Sequence, residues 1–268
     1  MPPTTDQQTQ PFDAHTGQLH VYSTLPGVVI IYGNGADLGD FGIFAKALMA
    51  QLASRFHDRI IIKKITNKLD LIFYMALTAF PFRIAEFHIF SHAFGGGLAL
   101  GYHMPQYAAL RNNASNAASQ QGRQISYEEV LATELGILFS DDMASPPYAL
   151  ILSSFQSVIQ SKFTDSAFCK LWGCNGGVDG WRYSDQAGSY YWESLNSKNT
   201  PKLSIAKTLA SYLKIPVWAA SSGSHIEVLD NGKWISSNQY KKRHGRNPSG
   251  TIPLRLHPDK GDYNRFDP

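Results

Sequence analysis

Only two of the 268 residues are cysteine, Cys169 and Cys174. The stretch around them predicts one extended strand, on which side chains five positions apart are too distant to bridge. Two thiols without a framework fit a reducing compartment. No apolar run is long enough to span a bilayer, and the longest are broken by charge or proline. The amino terminus, MPPTTDQQTQPFDAHTG, lacks the basic start and apolar core of a secretory signal. The expected location is therefore cytoplasmic, or exported without a cleavable signal peptide. Charged residues make up 17% of the chain and the net charge is +3, too little to argue for nucleic acid as a partner. His57, His88 and His103 have no cysteine or carboxylate partners at metal-ligand spacing, so neither a structural zinc nor another cofactor is expected.

What is present is the composition of an ordinary globular domain, 43% apolar. The length suits a single α/β domain, residues 21–268, after a flexible segment, 1–20. Val28–Tyr32 reads as a strand left through Gly33-Asn34-Gly35. Phe44, Leu48, Leu52 and Phe56 share one face of a helix over Phe41–Phe56. A strand over Arg59–Ile65 and a helix over Lys68–Phe80, stopped by Pro81, complete a βαβ rhythm and imply a parallel sheet. Residues 104–125 turn polar and read as a surface loop, the start of an insertion near 104–165. Ser126 and Glu129 have capping-box spacing and open a helix through about Phe139. A further helix is predicted near Leu150–Phe163. A loop is predicted over 175–202, a helix over Ser204–Leu213 and a strand over Pro216–Ala220. A hairpin turning at Asp230-Asn231-Gly232 follows.

Two stretches carry the chemistry. Glu86–Gly97, EFHIFSHAFGGG, is an apolar strand that delivers His92 and then three glycines. Ala167–Trp172 is a second such run, delivering Gly173-Cys174-Asn175-Gly176-Gly177. Ligands of open α/β sheets bind at the carboxyl ends of strands. If these two strands are neighbours, His92 is a base for the Cys174 thiol, which attacks only as thiolate. The backbone N–H groups of Ala93 and Cys174 are then natural oxyanion donors. Taken singly, His92 also reads as a hydrogen-bonded core histidine and Cys174 as a small buried hydrophobe, the reading given to Cys169. The aromatic residues after Cys174, from Trp181 to Trp192, either pin a long loop or wall a cleft.

FHIFSHAFGGGLALG and FCKLWGCNGG resemble the histidine and cysteine strands of the caspase-like cysteine peptidases, and Gly-Cys-Asn resembles bacterial members related to toxin self-processing domains. The likeness covers roughly residues 26–236. It implies a three-layer α/β/α sandwich with a mostly parallel sheet, plus a C-terminal β-hairpin. It also implies a His92–Cys174 dyad cleaving a protein or peptide substrate, in a bacterial effector or toxin. The segment Ser204–Ser222 resembles the helix and strand that end beside the specificity pocket, so Trp218, Ser222 and Gly223 are implied to bind substrate. Asp37 and Asp40 would favour a basic side chain there, or serve as turn and cap residues. The family has glycine where this chain has Ala93, which a left-handed backbone would strain. Residues 231–258 carry Lys233, Lys241, Lys242, Arg243, Arg246 and Arg255 and no acidic residue, and some relatives bind an inositol polyphosphate on such a region; the alternative is a solvated face.

Two other classes fit the same residues. Read as Gly-x-Ser-x-Gly, Ser91–Gly95 would place Ala93 at the nucleophile of an α/β-hydrolase esterase or lipase, with His225 or His257 as base. An inactive binding module that keeps the fold is the other.

Overall fold

The computed structural model describes residues 23–35, 41–101, 104–179, 181–184, 189–192, 203–220, 226–245, 255–256 and 263–268. Asp37, Asp40, His103, Ser222, Gly223, His225, His257 and the segment 1–20 lie outside them. The chain is α/β, with a mostly parallel six-stranded sheet and smaller antiparallel sheets.

Strand β1 (Ser23–Tyr32) is the hydrophobic axis. Val28, Val29, Ile30 and Ile31 are all fully buried, so both faces of the strand are covered. Each such side chain contributes about 1.5–3 kcal/mol on burial. Alternation divides them between two cores. Val29 and Ile31 pack with helices α2 (Lys68–Leu77), α5 (Ala149–Gln160) and α6 (Ile205–Leu213). Val28 and Ile30 pack with helix α1 (Phe41–Phe56), helix α7 (Ser237–His244) and a small sheet.

The main sheet runs β14-β10-β7-β3-β1-β2. Its parallel members are β1, β2 (Ile60–Lys64), β3 (Phe82–Phe90), β7 (Phe163–Leu171) and β10 (Val217–Ala220). The edge strand β14 (Tyr263–Phe266) is antiparallel to β10 and has no forerunner in the sequence reading. The hairpin β11 (Glu227–Asp230) and β12 (Lys233–Ser236) turns through Asn231 and Gly232, both at positive φ, and β13 (Arg255–Leu256) joins it. That pair of left-handed residues is what a tight hairpin turn requires.

Three sequence expectations are corrected. Residues 104–125 are not a loop but helix α3 (Pro105–Gln120), entered through a proline in the first turn. The segment is alanine-rich, and its polarity marks a solvated helix, with Tyr107 and Ala118 as its buried residues. The capping box of Ser126 with Glu129 is formed, but helix α4 (Tyr127–Thr133) ends early. Strand β6 (Ile137–Phe139) follows, because it pairs with β5 (Gly97–Ala99). The glycines after His92 turn the chain back on itself. They sit within a hairpin of β4 (His92–Phe94) and β5. Within 175–202, β8 (Trp181–Ser184) and β9 (Ser189–Trp192) form an antiparallel pair rather than a loop.

Candidate active site

Parallel pairing of β3 with β7 brings the two singled-out stretches to one edge of the sheet. The last register pair is Ile89 with Leu171, and the Trp172 amide adds a bond to the Ile89 carbonyl at 2.8 Å. His92 and Cys174 each lie three residues further on. Both are half-buried. Cys169 is on β7 and wholly in the core; Cys174 is in the turn beyond it, not on the strand.

The loop leaving β1 orients His92. Its Nε2 lies 3.2 Å from the Gly35 carbonyl oxygen, and the Phe41 ring meets the imidazole edge-on at 5.2 Å. A carbonyl only accepts, so Nε2 carries the proton and Nδ1 holds the lone pair of the neutral ring. That loop is itself anchored by Gly33 N–H to Phe90 O at 2.8 Å and Asn34 N–H to Leu100 O at 2.7 Å. A side chain on Gly33 would come within 2.6 Å of the Leu100 carbonyl oxygen, so only glycine permits this approach.

The cysteine turn packs directly on the histidine turn. A Cβ on Gly173 would lie 2.5 Å from the Ala93 Cβ, 2.6 Å from Ser91 O and 3.0 Å from Ala93 N. The next residue but one, Asn175, takes the left-handed conformation at φ 57°. Ala93 is not among the non-glycine residues at positive φ, so the strain expected of an alanine here does not arise. Helix α6 ties both turns together. Ile205 N–H bonds Gly95 O at 2.8 Å and Ala206 N–H bonds Gly176 O at 3.1 Å. Ser204 caps the helix onto Lys207 N and donates its own amide to Asp179 at 2.6 Å.

Burial pushes the Cys174 thiol above the ordinary cysteine range, and its own backbone amide draws it part of the way back. The resting group is therefore a thiol that needs a base to become a nucleophile. His92 and Ala93 also line a cleft of about 430 Å³, walled by Phe94, Met104, Tyr107 and Ile137, with Arg111 and Glu134 paired at 3.2 Å in it. Sequence reading missed Glu134, whose carboxyl is raised by burial against the opposing charges of Arg111 and Lys68.

Trp218 is on β10 opposite Lys170 and lines a different cleft, about 590 Å³, with Arg55, Glu86, His88, Lys170, Trp172 and Arg255. Here Trp172 stacks on Phe90 at 4.9 Å, and the Lys170 ammonium sits 3.8 Å over its ring. The indole N–H donates to His88 Nδ1 at 3.2 Å, so Nε2 carries the histidine proton and donates to Glu86 at 3.1 Å. Arg55 holds the other Glu86 oxygen. Burial lowers the His88 pKa despite Glu86. The signal for this network was a glutamate and a histidine at alternate positions in the buried half of β3. A second buried cluster joins Lys68 Nζ to Asp142 at 2.8 Å and to Leu131 O at 2.7 Å.

Among the described residues no group of three or more His, Cys, Asp or Glu side chains is placed to hold a metal ion, and no helix is long and apolar enough to cross a membrane. No protein-family model matches the sequence, and no curated protein and no solved structure matches it significantly.

Proposed function

We propose that the chain is a cysteine peptidase of the caspase-like type, acting on a protein or peptide through His92 and Cys174. The observation that carries this reading is the meeting of the two turns, Gly173 against Ala93, at the ends of adjacent parallel strands. His92 held by a third group is the orientation a catalytic base needs.

In this mechanism Nδ1 of His92 takes the thiol proton as sulfur bonds to the scissile carbonyl carbon. The carbonyl electron pair moves to oxygen, beside the amides of Ala93 and Cys174. As the oxyanion collapses the C–N bond breaks, and the imidazolium returns its proton to the leaving amine. Water, deprotonated by the same histidine, then hydrolyses the thioester and restores the thiol. The inositol polyphosphate activator implied by the resemblance would bind the basic residues of 231–258, of which Arg255 lines the second cleft.

The test is to incubate the purified chain with peptides derived from a whole proteome and to read new termini by mass spectrometry. Cleavage by the native protein and none by Cys174→Ala supports the reading; equal cleavage by both overturns it. The raised thiol pKa favours a second reading, an inactive binding module on the same scaffold. A biological effect that survives Cys174→Ala would select it. The esterase alternative has less support, since a nucleophile elbow turns from strand into helix and β4 turns into β5.

A further inference from the structure

The cleft beside His92 is bordered by Met104. The same methionine lines a second hollow of about 560 Å³, formed by Lys63, Lys64, Thr66, Asp70 and Tyr74. The two hollows therefore adjoin at Met104, one bordered by the imidazole and the other by the end of β2. Its direction relative to the chemistry follows from strand order. Cys174 follows β7 and His92 follows β3; β1 and then β2 lie beyond. The thiol keeps the acyl half of a substrate, while His92 protonates the amine half. Chain passing from Cys174 across His92 towards β2 is therefore the part C-terminal to the cut bond.

We infer that the two hollows together hold the leaving half of an extended polypeptide and that Lys63 and Lys64 select an acidic residue in it. This rests on the cysteine-peptidase reading. Lys64 is in register with Tyr32, and Tyr32 with Phe90 at the end of β3. Two strand spacings are about 10 Å, which an extended peptide covers in about three residues. Both lysines are exposed at the strand end, and Asp70 is the carboxylate lining that hollow. Near His92 the charges of Arg111 and Glu134 offset each other, so the selective charge is at the β2 end.

The experiment compares cleavage sites produced from a proteome-derived peptide library by the native protein and by the double variant Lys63→Glu, Lys64→Glu. Both lysines are solvent-facing, and a thermal melt checks that the variant is folded. The native protein is expected to show Asp and Glu enriched about two- to five-fold at the third or fourth position after the cut, the range of exposed ion pairs. The variant is expected to favour Lys and Arg there instead. Cleavage with no acidic preference at those positions, or with the same preference in both proteins, overturns the inference and leaves the peptidase reading standing. No Cys174-dependent cleavage at all overturns both.

Discussion

His92 Nε2 and the Gly35 carbonyl oxygen are 3.2 Å apart, so a loop leaving β1 fixes the tautomer of a histidine that follows β3. A glutamine amide reaches the Nε2 position and keeps that bond, but it cannot take a proton from sulfur. His92→Gln is accordingly expected to unfold within about 1 kcal/mol of the native protein in urea. Its peptide cleavage is expected to be abolished. A destabilisation of several kcal/mol would show instead that the imidazole is mainly a packing element.

Gly173→Ala introduces a methyl group where the Ala93 Cβ and the Ser91 carbonyl leave no room. The backbone must give way, at a cost of about 1–3 kcal/mol. Cleavage is expected to fall further than stability does, because the displaced segment bears Cys174. Thermal melts and initial rates on one peptide measure both effects.

Burial raises the pKa of both cysteines, and Cys169 is fully enclosed. At pH 7 Cys174 should react with iodoacetamide more slowly than a free cysteine, and faster as pH rises. Cys169 should stay unlabelled until the chain unfolds. Rapid labelling of Cys174 at pH 6 would mean a preformed thiolate.

Asp142 is pushed up to about 6 by burial, against an ordinary value of 3.8. The native state therefore holds this proton more tightly than the unfolded chain. Its contribution to stability is complete below pH 3.8 and is lost as pH rises through 6. Relative to Asp142→Asn, the native protein should lose unfolding free energy as pH rises from 4 to 6. Urea titrations at the two pH values give the difference.

His88 has the opposite sign. Burial lowers its pKa below 6.5, so the unfolded state binds the proton more readily. Its contribution is complete above pH 6.5 and is lost as pH falls towards the lowered value. Relative to His88→Gln, the native protein should weaken on acidification over that range. A flat difference would place a charged imidazole between Glu86 and Trp172.

Local pattern made much of this arrangement legible before any coordinates. Helix α1, the run into His92 and the Ser126 cap each carry their signal within a few residues, through periodicity or capping chemistry. Elements that exist only through distant pairing carried no such signal. Strand β14 is four residues held by β10, and β6 owes its form to β5. Helix α3 was hidden because solvation, not burial, governs most of its surface. In the site, the histidine and cysteine stood out by their glycine flanks, whereas Gly35 contributes only a carbonyl, which every residue has. Glu134 and Lys68 carry no signal of their own, since their burial is imposed by partners far along the chain.

The first turn of α6 hangs the histidine and cysteine turns from neighbouring rungs, one on the Ile205 amide and the other on the Ala206 amide. Adjacent peptide units are a few ångströms apart and cannot stretch, so a shift of this helix carries sulfur and imidazole in the same direction. Their separation is thereby insulated from slow breathing of the sheet. A substitution that loosens Ser204 or Asp179 should blur it without touching His92 or Cys174.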